Sequence, residues 1–327
     1  MTTKSISLWL SLCCLGVALI LTAACGPSKS GGSGGKSKGK IGTTSMDLTN
    51  PFFKLIANVM TEEAEKHGYE LVALDGALDA AKQNNQLADF AVQGYDAVFL
   101  NAVDSAAAAE GVKKLHSAGV PVFTFDIEIA DPEAQKMVVS HIGSDNYQGG
   151  LLAAESMMLA LGNRGKVAII GYPETTTCIQ RVKGFKDGLA KAQSPIQIVT
   201  ELNGRANRND GFSVANDILQ AHPDLNGIFA INDPSGLGAH AAVAKAGKAA
   251  QITIVAFDAS PAGKQGVFDK KLFDTQQQFP RKMAVGTLDA FLRHQEGETV
   301  EKKIFIPCAH YRYEDSLKDE SRVKDQW

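Results

Sequence analysis

Five polar side chains, Asn50, Asp126, Asn232, Asp258 and Gln278, gather just after short β-type runs. Two carboxylates and three amides are hydrogen-bonding groups, and in open α/β sheets ligands sit beyond the carboxyl ends of the strands. The plainer reading of each is a helix cap or a turn former, because Asn and Asp favour both places. Recurrence after several strands tips the balance towards a shared binding cleft. Covalent chemistry finds less support. There is no Gly-x-Ser-x-Gly elbow, no paired-His helix, no zinc-ligand spacing, and no strand leading into Gly-x-Gly-x-x-Gly. Gly35-Lys36-Ser37 ends like a phosphate-binding loop, but Ser30 stands where its leading glycine would be, and neither strand nor amphipathic helix flanks it. The reading is therefore not an enzyme, with no cofactor and no metal.

The elements that must hold these residues alternate. Strands are expected at 41–46, 70–74, 97–100, 120–125 and 138–142, with helices at 51–67, 78–93 and 105–118 between them. A second series follows, with strands at 166–170, 196–202, 227–231 and 252–257. Its helices fall at 147–161, 179–192, 210–221, 237–246 and 281–293. Asn50-Pro51 suits a helix start, since one residue caps and the other fits the first turn, and Gly68 suits its end. Short strands joined by helices of about 10 to 15 residues indicate βαβ units and parallel sheets. Two series predict an α/β chain of two doubly wound, Rossmann-like lobes facing each other across a cleft.

Composition agrees. The 327 residues include 33 Lys+Arg and 36 Asp+Glu, a formal charge of −3, with 44% hydrophobic and 21% charged residues. That is a globular mixture long enough for about two domains. The absence of a basic surplus argues against a nucleic-acid partner.

The N-terminus reads as an address. Lys4 precedes an apolar run from Ile6 to Leu21, and Leu21-Thr22-Ala23-Ala24-Cys25 places small residues before a cysteine. Residues 1–24 are therefore expected to be a signal peptide. Cys25 resembles the lipid-modified cysteine of a bacterial lipobox, with Thr22 in place of the usual Leu. Residues 25–40, rich in Gly, Ser and Lys, read as a lipid-anchored flexible tether. Of the five cysteines, Cys178 and Cys308 then remain, as a disulfide or as two buried thiols.

Thr49-Asn50-Pro51-Phe52-Phe53 resembles the opening motif of bacterial ribose/galactose-type (type I) periplasmic binding proteins. Phe125-Asp126, Ser140 to Asn146, Arg181 to Phe185, Ala221 to Asp224, Asn232-Asp233 and Ala256-Phe257-Asp258 continue the match in order over residues 40–313. The resemblance implies two lobes joined by three crossovers, near Ser144/Asp145, Gln278/Phe279 and Pro307/Cys308. It divides the chain into an N-terminal lobe of 41–144 plus 279–307 and a C-terminal lobe of 145–278 plus 308–327. It further implies a monomer that captures a sugar or polyol and passes it to an ABC permease. A sensory receptor for chemotaxis or quorum signalling is the alternative, and a secreted NAD-dependent oxidoreductase a more distant one.

Carried over residue by residue, Asn50 would bond a hydroxyl, Phe52 and Phe53 would lie against a sugar ring, and Asp126 and Asp258 would accept hydroxyl protons. Asn232 would donate and accept, and Gln278 would reach in near a hinge. Such a mixture suits a neutral polyhydroxylated ligand, whose every hydroxyl both donates and accepts. Departures accompany the match. Ile127 and Ile179 stand where sugar-binding relatives usually carry arginines, Met46 replaces a small polar residue, and Ala206 replaces an aromatic. Arg205, Tyr172 and Glu128 are candidate substitutes. His141, inside a hinge-like motif, is expected to make an orienting hydrogen bond.

Overall fold

The computed structural model describes residues 37–323 and 327. The expected signal peptide, Cys25 and most of the tether lie outside them. Two six-stranded sheets organise the described chain, each with helices on both faces. The first contains β1 (Gly39–Ser45), β2 (Tyr69–Asp75), β3 (Ala97–Leu100), β4 (Val122–Phe125), β5 (Val138–Ser144) and β11 (Lys303–Ile306). Its order is β11-β5-β4-β3-β1-β2, parallel throughout. The second contains β6 (Lys166–Gly171), β7 (Gln197–Asn203), β8 (Gly227–Ala230), β9 (Thr253–Asp258), β10 (Asp274–Gln277) and β12 (Ala309–Arg312). Its order is β12-β10-β9-β8-β6-β7, with β12 alone antiparallel. The chain passes between sheets three times, after Ser144, after Gln277 and after Ile306.

The helices of the first half are α1 (Pro51–Lys66), α2 (Ala80–Gln93), α3 (Ala109–Ser117) and α4 (Pro132–Met137). The second half contributes α5 (Asn146–Leu161), α6 (Thr176–Lys191), α7 (Arg208–Ala221), α8 (Asp233–Lys245) and α9 (Pro261–Phe268). Helix α10 (Pro280–Gln295) returns to the first sheet, and α11 (Tyr313–Ser316) and α12 (Glu320–Val323) follow β12. Each sheet is sandwiched between two apolar clusters. One face of the first buries Ile56, Met60, Phe99, Phe123 and Phe291, and the other Leu87, Phe90, Val98 and Leu115. Burial on both faces explains why β3 (AVFL) and β4 (VFTF) read as near-continuous apolar runs.

Local signals behave as their chemistry requires. The Asn50 side chain accepts from the Phe52 amide at 3.0 Å, and Pro51 occupies the first turn of α1. Differences from the expected elements have identifiable causes. The chain is already ordered before residue 41: Lys38 N–H donates to Gly68 O at 2.7 Å and Lys40 N–H to Asp96 Oδ2 at 2.6 Å, so β1 takes in the last residues read as tether. Helix α3 starts at Ala109 rather than 105, because the Asp104 carboxylate binds the Ala106 and Ala107 amides at 2.8 and 2.7 Å and holds a turn there. Strand β10 (DTQQ) has no apolar pattern, yet Thr275 and Gln276 are fully buried; their neighbours in the sheet, not their own hydrophobicity, make them a strand. Cys178 and Cys308 are buried free thiols.

Candidate functional site

A cavity of about 1020 Å³ lies between the carboxyl ends of the two sheets. That is at the upper end of the roughly 300–1,000 Å³ usual for small-molecule pockets. The turns after β1, β4, β6, β7, β8, β9 and β10 all contribute to it, because parallel strands aim their carboxyl ends one way. Asn50, Phe52, Phe53, Asp126, Asn232, Asp258 and Gln278 all line the cavity, as do Met46, Ile127, Tyr172, Arg205 and Ala206. Ile179 does not. It is 47% exposed, since Thr177, Cys178 and Arg181 take the buried face of α6 and the next helical position is turned away from it. Glu128 is also absent from the lining and pairs instead with Lys303.

Asp126 comes from the end of β4 and Asp258 from the end of β9, at φ of 60° and 112°, conformations that side-chain-bearing residues adopt at a cost. Asp126 is 5% exposed; its Oδ2 accepts from Asn101 Nδ2 at 3.3 Å, while its Oδ1 is buried with no partner among the described residues. Burial pushes its carboxyl up to about 6, the Arg181 charge opposing and the Asp258 charge assisting. Asp258 accepts from Gln278 Nε2 at 2.8 Å and from Arg181 Nη1 at 3.2 Å. Burial nonetheless raises its carboxyl, and raises Asp233 beneath it, where the Asp258 charge adds to the effect. Asp233 accepts from Ser260 N and Oγ, both at 2.7 Å, and from Thr275 Oγ1 at 2.6 Å.

Arg181, which carried no predicted ligand role, is a buried cation of this site. Its Nε donates to Asn146 Oδ1 and its Nη1 to Ile231 O, both at 2.8 Å, and its guanidinium lies 3.9 Å over the Phe257 ring. Two glycines bring it there. A Cβ on Gly150 would stand 2.3 Å from Arg181 O, and one on Gly184 would stand 2.1 Å from Tyr147 O, so only glycine lets α5 and α6 touch backbone to backbone. Asn101 was missed too. It is fully buried after β3, accepts from Met46 N at 3.0 Å and steadies Asp126; its place one residue past an apolar run was the available signal.

The amides divide. Asn232 spends both ends on structure, capping α8 through the Ser235 amide at 3.0 Å and donating to Ala206 O at 2.8 Å. Gln278 keeps its Oε1 buried and unpartnered. Phe52 and Phe53 sit edge to face at 5.3 Å, anchored in the core with their rims on the cavity. Tyr172 is half-buried, and Arg205 is an exposed rim residue at φ 49°. His141 is buried against Thr124 Oγ1 at 2.9 Å, and burial drives its ring down to about 3, so it is neutral. Across the mouth the halves touch. Thr176 N–H donates to Ser105 Oγ and Thr176 Oγ1 to Glu128 O, each at 3.2 Å.

A periplasmic binding protein domain model matches residues 41–299, most of the chain. The chain belongs to the periplasmic binding protein family. It is thus a solute-binding protein rather than an enzyme, and its family places it outside the cytoplasm. Among curated relatives of this binding protein, the ribose import binding protein of Bacillus subtilis (strain 168) is 32% identical over 313 residues, covering 93% of this chain and 97% of that one. The Caulobacter myo-inositol binding protein, solved with myo-inositol, superposes with a TM-score of 0.81 at 28% identity, covering 88% and 98% of the two chains. An ABC transporter solute binding protein from Agrobacterium vitis, solved with D-fucose, gives 0.80 at 27%, covering 88% and 99%. Among the described residues no helix is long and apolar enough to cross a membrane.

Proposed function

We propose that this chain captures a sugar or polyol between its two lobes and delivers it to the permease of an ABC importer. The observation that carries this reading is a pair of buried acceptors without a partner among the described residues, Asp126 Oδ1 and Gln278 Oε1, on two side chains that line one cavity. A buried acceptor without a donor is costly, and a ligand hydroxyl supplies the missing proton. Asp258, held by Arg181 and Gln278, offers a second carboxylate, and the Phe52 and Phe53 rims offer an apolar surface for sugar C–H groups. Relatives named for ribose import and neighbours solved with myo-inositol and D-fucose support the ligand class. Ile127, Met46, Cys178 and Ala206 make part of the lining apolar, which favours a ligand with an unhydroxylated edge. Ligand bridging both walls stabilises the closed arrangement, because only there do both contribute contacts. Asn50, whose cap uses its oxygen, keeps both amide N–H bonds to offer it, and Asn232 keeps the one not given to Ala206 O.

Thermal-shift and calorimetric titration against D-ribose, D-allose, D-fucose and myo-inositol tests the reading. At least one should raise the melting temperature, and Asp126→Ala should weaken its binding about 10- to 100-fold. Binding unaffected by that change would remove the cavity from the function.

Attachment through a lipid on Cys25 is part of the proposal, supported by the small residues before it and the Gly/Ser/Lys stretch after it. Cys25→Ala should move the protein from the membrane fraction to the soluble one; unchanged fractionation would refute lipidation at that residue.

A further inference from the structure

The geometry points to Trp327 as an aromatic wall of the ligand cavity, a specificity-determining residue delivered from the far end of the chain. This rests on the sugar-binding reading above and extends it. Trp327 lines the cavity and packs on the same apolar cluster as Met46 and Phe52. Its ring meets Phe52 at 5.0 Å and 67°, an edge-on contact of the favourable kind. Trp327 thereby extends the Phe52–Phe53 pair into a three-ring surface.

Two observations make it a wall and not a plug. The cavity measures about 1020 Å³ with Trp327 among its walls, room enough for a small ligand beside the indole. The indole N–H is buried and has no partner among the described residues, although two free acceptors, Asp126 Oδ1 and Gln278 Oε1, belong to the same cavity. A tail seated in the ligand's place would bond one of them. An indole at the edge is instead positioned to offer its ring to C–H groups. The surface it supplies matters because the opposite wall offers little: Ala206, on the turn after β7, presents only a methyl group, and Tyr172 is the aromatic lining residue contributed there.

Trp9 is the chain's other tryptophan, so Trp9→Phe in the full chain isolates the Trp327 signal. Emission and calorimetry are followed with D-ribose, D-allose, D-fucose and myo-inositol. For a sugar that binds, Trp327 emission should shift on saturation, and Trp327→Ala should weaken affinity about tenfold, with Trp327→Phe in between because it keeps a smaller ring. Equal or tighter binding by Trp327→Ala overturns the proposal, the tighter result marking a plug. If none of the four sugars binds, it is the ligand class that fails, and the wall is read in the empty protein. Acrylamide quenching that is weak, and rises in Phe52→Leu, upholds it; quenching as strong as for free indole overturns it.

Discussion

The two walls of the cavity are built on opposite principles. On the C-terminal side the buried charges are answered within the protein: Asp258 has Arg181 and Gln278, Asp233 has Ser260 and Thr275, and Arg181 has Asn146, Ile231 O and the Phe257 face. On the N-terminal side Asp126 has one amide and a bare oxygen, set among Met46, Phe52 and Ile127. The first wall is rigid before ligand arrives, whereas the second holds an unmet demand for a donor. Affinity therefore draws on relief at Asp126, and orientation on the fixed network opposite.

The sharpest way to break this contrast is Arg181→Ala. It strands Asp258 and unpairs Asn146 and Ile231 O, and should cost about 3–5 kcal/mol in chemical or thermal unfolding, the usual toll for removing one member of a buried pair. A loss under about 1 kcal/mol would mean the network is not the frame described.

The next test sets the two aspartates against each other. Asp126→Asn should leave the empty protein as stable or more so, because it removes a buried carboxylate with one unpartnered oxygen and no paired cation, while Asp258→Asn should destabilise it by leaving the Arg181 charge without its ion pair. The pH dependence follows. Folding favours the protonated Asp126, whose carboxyl rises from its ordinary 3.8 to about 6, so its contribution to stability is complete below about 4 and lost as pH climbs through 6. A ligand hydroxyl donating to that oxygen favours the ionised form, so affinity should climb about tenfold from pH 5 to pH 7. Calorimetry at the two pH values should show the rise in the parent and a flatter profile in Asp126→Asn. The smallest effect is expected at the rim, where Ser105→Ala removes one lobe-to-lobe hydrogen bond and should weaken sugar binding about fivefold or less.

What could be read from the chain beforehand divides along the same line. Asp126 and Asp258 were legible as cavity-lining residues through recurrence, polar side chains following one apolar strand after another, although a cap or turn would account for either alone. Asn232 was legible only as to place: its amide caps α8, the plainer reading of an Asn before a helix, and that use does not show in residue type. Arg181 looked like any charge on an amphipathic helix, since its burial depends on two glycines that let α6 meet α5. Strand β10 escaped because its residues are polar, with Asp274 and Thr275 bonded to partners from other elements, so no alternation marks it. Helix α9 announces itself only by Ser260-Pro261, a cap and a first-turn proline. Trp327 could not be placed, because nothing local links it to Phe52.

The last strands have a consequence for how the molecule comes into being. Because β11 closes an edge of one sheet and β12 an edge of the other, both halves leave a seam open until residues 303–312 arrive. A ribosome or export channel releasing the polypeptide from its front end thus holds two unfinished halves at once, and both are completed within a few residues of each other.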